Sequence, residues 1–395
     1  MINIQDNFKC CGCSACAQRC PKQCIKLYED DEGFLYPKAD ESECIKCGLC
    51  EKVCPMINKL IPRCHQRVYA AINQEDEKRI NSSSGGIFSA MAEKVIGKGG
   101  VVFGARFNEN WEVEHVYTET LEGILAFQGS KYVQSRIGDA FVQAEMFLKN
   151  GRMVLFSGTS CQIAGLNKFL RTSYDNLITV DVVCHGVPSP LIWRDYLKSI
   201  SIDFYGEIGH IGFRDKKQGW YNYGLSIKSV QSTDRSCVEL YYKEKFKDLY
   251  LKGFLSDTFI RPSCFNCIFK EGKSGSDITL ADYWGIETFH PEMYDGKGTS
   301  CIILNTEKGE RFLDKINLLL VESKINSFVQ QNSSYHIVNK IPRNRSAFWN
   351  DYSKNGVIHA LRYYARPSLY ERVRSRLIII IVKLKILKLL QILMK

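Results

Sequence analysis

Eight cysteines in the first 54 residues fall into two runs of one spacing, Cys10-x2-Cys13-x2-Cys16-x3-Cys20-Pro21 and Cys44-x2-Cys47-x2-Cys50-x3-Cys54-Pro55. Thiolates at such gaps wrap one corner of an iron–sulfur cube, and the fourth cysteine of each run ligates the cube built by the other. The spacing predicts two 4Fe-4S clusters: Cys10, Cys13, Cys16 and Cys54 around one, Cys44, Cys47, Cys50 and Cys20 around the other. Such centres pass single electrons. Zinc sites pair two dicysteine knuckles across a longer loop, so the doubled run ending in Cys-Pro is the more specific pattern. Cys11 stands outside the x2 rule. Cys24, Cys64, Cys237 and Cys301 have no partner pattern and are expected to be small buried apolar side chains.

Four more cysteines lie far apart in the chain, in Gly158-Thr159-Ser160-Cys161-Gln162, Cys184-His185-Gly186-Val187-Pro188 and Cys264-Phe265-Asn266-Cys267. Residues 153–156 and 178–183 read as buried strands, and Ile163, Leu166, Phe169 and Leu170 mark one face of a helix between them. A βαβ unit of this kind has parallel strands, whose carboxyl ends meet at the sheet edge where ligands bind. Cys161 and Cys184 follow those ends. With the Cys264-x2-Cys267 turn they supply four ligands for a third 4Fe-4S cluster; on spacing alone a four-cysteine zinc site or unrelated thiols stay open.

The elements that must carry these ligands read as an α+β chain. Residues 1–60 form a bacterial ferredoxin-like two-cluster module, loop-rich and held by metal more than by apolar burial. Its halves are joined by a hairpin over 24–28 and 33–37. A linker near Ile61-Pro62-Arg63 leads to an α/β body with a mixed sheet, divided as 66–155 and 156–330, and a helical basic tail covers 331–395. In the body, 68–72 is a strand, Ile87, Phe88, Met91 and Val95 share a helix face, and 99–104 makes the next turn and strand.

The 395 residues carry a net charge of +10 and 17 cysteines. No basic region followed by an apolar run opens the chain, so a reducing cytoplasm is expected, where free thiolates persist. Nine Lys/Arg against the single acid Glu371 fall in residues 359–395, leaving the rest nearly balanced. A nucleic-acid partner therefore finds no basic face. Residues 377–394 are apolar but broken by Lys383, Lys385 and Lys388, which suits an amphipathic helix lying on an anionic membrane. Residues 372–395 are thus expected to hold the chain at the inner face of the membrane, with packing against protein as the alternative.

Several motifs occur in order: Ser83-Ser84-Gly85-Gly86-Ile87-Phe88, Gly129-Ser130-Lys131-Tyr132-Val133-Gln134-Ser135, Leu155 to Gln162, Cys184 to Pro190, Phe213-Arg214-Asp215-Lys216, the Cys264 turn and Ser276 to Gly285. Together with the two-cluster module they resemble the beta subunits of coenzyme F420 (deazaflavin) hydrogenases and dehydrogenases. The resemblance covers roughly residues 1 to 310. It implies FAD in the body beside the third cluster, with Ser84, Gly85, Gly86, Gly129, Ser130, Lys131, Tyr132, Gly158 and Thr159 around it. Ser160 stands where the family usually has proline. A fused ferredoxin module with a basic tail looks most like the bacterial type associated with surface-polysaccharide synthesis. That type would take electrons from a redox partner protein and reduce a small-molecule or lipid-linked substrate such as a sugar intermediate. A deazaflavin-dependent subunit, or a pure electron-transfer protein, is the alternative.

Clusters move one electron and a flavin two, so a chain holding both converts between the currents. The Ser-Gly-Gly segment opens a helix and suits a pyrophosphate, with ordinary serine capping as the plain reading. Lys131 suits a phosphate or a reduced flavin ring, His185 and Asp282 a proton transfer, and Arg214 with Lys216 an anionic substrate. A surface lysine, a structural histidine and a salt-bridged surface strand are the respective plain readings.

Overall fold

The computed structural model describes residues 1–63, 67–230, 237–314 and 316–365. The first strands, β1 (Ile25–Glu29) and β2 (Leu35–Ala39), form the expected antiparallel hairpin between the cysteine runs. In the body, β3 (Arg67–Asn73), β4 (Val101–Phe107), β5 (Val113–Thr118), β6 (Val154–Thr159) and β7 (Leu177–Val182) come first. Three antiparallel strands follow as a separate sheet: β8 (Ile208–Asp215), β9 (Gly224–Val230) and β10 (Cys237–Glu244). The last are β11 (Ile278–Asp282), β12 (Ser300–Leu304) and β13 (Leu318–Ser323).

The main sheet has eight strands in the order β13-β3-β12-β11-β7-β6-β4-β5. Strands β4, β6, β7 and β11 are parallel, and antiparallel strands flank them on both sides. The predicted βαβ unit is present: helix Ser160–Leu170 joins β6 to β7, which pair in parallel from Val154↔Leu177 to Thr159↔Val182. Alternation along β6 explains why both faces need cover. Val154 and Phe156 pack with Phe141, Ile163 and Phe169, while Leu155 packs on the other face with Met91, Ile178 and Val180.

The expected units share one sheet and one core. The division at 155/156 falls inside β6, and β3 from the first part pairs with β12 and β13 from the second. The first 60 residues share the body's core: Cys11, Cys13, Ala15 and Val53 sit with Phe141 and Phe169. Arg19 pairs with Glu145 at 2.9 Å, Arg345 pairs with Glu32, and Arg63 reaches Asp277 at 2.9 Å. Helices Arg345–Asn355 and Val357–Tyr364 pack Phe348, Val357 and Leu361 into an aromatic core under the three-stranded sheet, so this part of the basic tail is integral. The segment 372–395, expected from sequence to lie on a membrane, is outside the described residues, as is Cys64. No helix among the described residues is long and apolar enough to cross a membrane.

Candidate functional site

The two cysteine runs repeat in backbone as well as in sequence. Gly12 and Lys46, at equivalent places, have φ of +72° and +54°, and Ser14 and Gly48 have +63° and +71°. Left-handed turns at both places fold each run back on itself before the short helices Ala15–Gln18 and Leu49–Lys52. Burial pushes the Cys16 thiol up to about 12, and Cys10 and Cys54 add to the rise. Cys54 thus lies near Cys10 and Cys16, with Cys50 of the second run also close. Cys20, Cys44, Cys47 and Cys50 line one small hollow, which Cys24 also reaches, its sulfur 3.4 Å from that of Cys20. Cys301 is buried in the core as expected. Among the described residues no three His, Cys, Asp or Glu side chains close to single-ion distance. A cube takes one thiolate at each corner and asks for sulfurs around a hollow, not around a point.

The parallel strands bring the scattered cysteines to one edge. Cys161 lies in the first turn of the helix after β6, Cys184 two residues beyond β7, and Cys264 with Cys267 in a 3-10 turn over Pro262–Asn266 and its cap. Burial raises the Cys184 thiol to about 12, with Cys161 and then Cys267 adding, and Cys264 is raised by burial and then by Cys184. Four half-buried thiols this close repel one another once ionised, so they become thiolates together only with a cation among them. Ser160 keeps the loop in shape, because its hydroxyl donates to the buried Asp181 at 2.8 Å. The Thr159 amide donates to the Gln162 side chain at 2.9 Å and closes the first turn.

The same carboxyl edge opens a cavity of ≈ 2290 Å³. The residues that line it include Ser84, Gly86, Gly129, Ser130, Lys131, Tyr132, Gly158, Thr159, Cys184, His185, Arg214 and Asp282. Gly85 is just behind: a Cβ there would lie 2.5 Å from Ala71 O, so the loop needs glycine to press on the sheet. The serines are not helix caps. Gly86 is the N-cap of Ile87–Ile96 with no side-chain cap bond, Ser84 donates to Thr299 O at 3.0 Å, and Ser83 accepts from Ser130 N at 2.6 Å. The two loops named from sequence therefore touch. Lys131 donates to Ala126 O and Gln128 O at 2.8 and 2.9 Å, and burial lowers its pKa to about 7.

Arg214 is buried and not part of a surface strand. It grips Asp282 through two bonds of 2.8 and 3.1 Å and lies 4.2 Å from the Tyr223 ring. Trp220 Nε1 donates to the same carboxylate at 3.0 Å, so Asp282 serves as an acceptor anchor here. Lys216 donates to Arg79 O, Ser84 O and Lys297 O and ties down the serine loop from behind the cavity. His185 Nε2 lies 2.8 Å from Asp257 Oδ1, with its ring edge-on to Phe254.

Sequence reading passed over His115. Gln162 Nε2 donates to Ser135 Oγ at 2.8 Å, Ser135 Oγ lies 2.8 Å from His115 Nδ1, and His115 Nε2 lies 3.0 Å from Ser157 O. The carbonyl requires a proton on Nε2, so Nδ1 accepts from Ser135. Burial lowers His115 to about 4 and keeps it neutral. The available signal was a polar residue at an inward place of the alternating strand β5.

Cysteine sets of this spacing, joined to a ligand cavity at the carboxyl edge of an α/β sheet, place the chain in the class of iron–sulfur electron-transfer oxidoreductases. Residues 151–324 match the family described as the C terminus of the coenzyme F420 hydrogenase/dehydrogenase beta subunit, and residues 9–57 match the 4Fe-4S dicluster domain. Residues 151–324 thus carry that family's domain, with a dicluster domain ahead of it. It is 26% identical over 162 residues to a subunit of the F(420)H(2) dehydrogenase of Methanosarcina mazei, covering 39% of this chain and 46% of that one. It is 25% identical over 329 residues to the coenzyme F420-dependent sulfite reductase of Methanocaldococcus jannaschii, covering 80% and 47%. The chain thus spans about half the length of the curated relatives it matches. Among solved structures, a chain of the F420-reducing NiFe hydrogenase complex from Methanosarcina barkeri aligns at TM-score 0.45 and 14% identity over 74% of this chain and 94% of that one, too slight a likeness to argue from.

Proposed function

We propose that the chain exchanges electrons between a deazaflavin coenzyme and a one-electron redox partner, through a flavin in the edge cavity and three 4Fe-4S clusters. The observation that carries this reading is the cavity itself. Small-ligand pockets span roughly 300–1,000 Å³, and this one, at ≈ 2290 Å³, leaves room for two nucleotide-sized ligands together. Cys184 and Thr159 line it beside the proposed third cluster, so a ligand there meets the start of an electron path.

The donor set suits a flavin dinucleotide. The uncapped start of Ile87–Ile96 with the adjoining serines offers amide and hydroxyl groups to a pyrophosphate, and Lys131 offers a cation. Tyr223, Trp284 and Tyr294 form an aromatic wall for ring systems. When bound, a flavin supplies the interchange between hydride and single-electron transfer. Arg214, held in place by Asp282, keeps positive charge on the wall and orients an anionic partner. His185, beside Asp257, can hold or release a proton at Nε2. FAD is the flavin this reading favours.

Of the two substrate readings, the deazaflavin is better supported than a sugar intermediate of polysaccharide synthesis, because both relatives named above carry that coenzyme in their names. The test is anaerobic purification with iron, sulfide and flavin analysis, followed by mixing with reduced deazaflavin coenzyme. Bleaching of the cluster absorbance together with oxidation of the coenzyme is expected. A preparation that dithionite reduces but the coenzyme leaves untouched would overturn the proposal.

A further inference from the structure

Arg261 is 1% exposed and lies where the cysteine module meets the body. Its Nε donates to Cys10 O at 2.8 Å, one terminal nitrogen to Gln134 Oε1 at 2.9 Å and the other to Leu35 O at 3.0 Å. The guanidinium stands 4.3 Å from the Tyr36 ring centroid. Gly12 presses against it, since a Cβ there would be 2.7 Å from Nη1. On its other side Arg261 caps the turn that carries Cys264, whose amide donates to Arg261 O at 2.9 Å.

Every hydrogen-bond acceptor it uses is a neutral oxygen. Among the described residues Arg261 makes no ion pair with a carboxylate, although a buried cation without a counter-charge is strongly unfavourable. Burial works against the cation, and Cys10, Tyr36, Cys11 and Cys264 are the groups near enough to offset it. The two cysteine sets also come together here. Cys11 and Cys13 of the first run are buried in one core, and Cys161 and Cys267 of the body pack against it.

We infer that Arg261 is the shared counter-charge of the Cys10/Cys13/Cys16/Cys54 set and the Cys161/Cys184/Cys264/Cys267 set, and that it eases reduction of both. The inference rests on the reading that both sets carry clusters. Reduction adds negative charge, and a fixed cation in a region of low dielectric favours the reduced form. Net charge and hydrogen bonding near the sulfurs are the levers that set cluster potentials. Arg261 acts through the ligands and is a positioning residue.

The experiment compares Arg261→Gln with Arg261→Lys in the full, anaerobically reconstituted chain by potentiometric titration followed by EPR. Arg261→Gln should make reduction of both clusters about tenfold less favourable, a shift of about 59 mV to more negative potential for one electron. The Cys20/Cys44/Cys47/Cys50 cluster should move less, and Arg261→Lys should stay near the parent values. Arg261→Gln chains that lose the clusters while Arg261→Lys chains load normally also support a requirement for charge. Unchanged potentials in a fully loaded Arg261→Gln chain overturn the inference, as does Arg261→Lys behaving like Arg261→Gln, which marks a role in shape alone. Iron content reports separately on the underlying reading: about 12 atoms per chain if the body set holds a cube, about 8 if it does not.

Discussion

Lys131 shows how one side chain ties the cavity to a ligand. Burial lowers it to about 7, and burial followed by the nearby Arg214 lowers Lys245 to about 8, so near neutral pH both are partly uncharged. An arriving phosphate or carboxylate favours their charged forms. Binding of a flavin dinucleotide at pH 7.5 should therefore take up about one proton. Calorimetry in two buffers of different ionisation enthalpy measures the number, and Lys131→Met should remove most of it. Uptake that is zero, or unchanged in the variant, would place the anion elsewhere. That Lys131 lines this cavity was legible from its motif; its seat on the Ala126 and Gln128 carbonyls was not, because those carbonyls belong to a loop whose path the sheet edge dictates.

Helix Ser160–Leu170 does two jobs, one on each side. Its periodic face fills the core, which is why it could be read from sequence. Its other side meets the cysteine module, and there Gly165 permits a contact that no pattern announces: a Cβ would lie 2.7 Å from Cys13 Cβ and 3.0 Å from its sulfur. Replacing Gly165 by Ala should overpack this seam at a cost of about 1–3 kcal/mol. The iron of the Cys10/Cys13/Cys16/Cys54 set should be lost first. Denaturant unfolding with parallel iron release checks this, and unaltered release would mean that the module yields freely. Strands β6 and β7 were likewise legible as buried apolar runs. The insertion of β3 between β12 and β13 was not, because pairing between strands more than 200 residues apart leaves no local periodicity.

The whole molecule carries a pH signature through His115. Its folded pKa of about 4 lies below the ordinary value of 6.5, so between those pH values the unfolded chain binds a proton that the folded chain refuses. The stability from this site is complete above about 6.5, falls as pH drops through that window and levels off below about 4, amounting to about 3 kcal/mol. Unfolding midpoints measured from pH 7 to 4 should show this slope in the parent and a shallower one in His115→Asn. Equal slopes would mean that the Ser135–His115–Ser157 chain opens in acid without cost.

The dicluster module could be read from the chain as written, because the spacing of thiols two and three residues apart is a short-range pattern that two left-handed turns per run accommodate. The parallel β6–β7 unit was readable for a like reason, since its periods follow from burial on both faces. Nothing local could place Arg261 between two cysteine sets, join the Ser83 and Ser130 loops, or pair Asp282 with Arg214. Those outcomes depend on which buried charges and carbonyls meet across distant segments, and that is settled when the cores close and every polar group taken from water must find a partner.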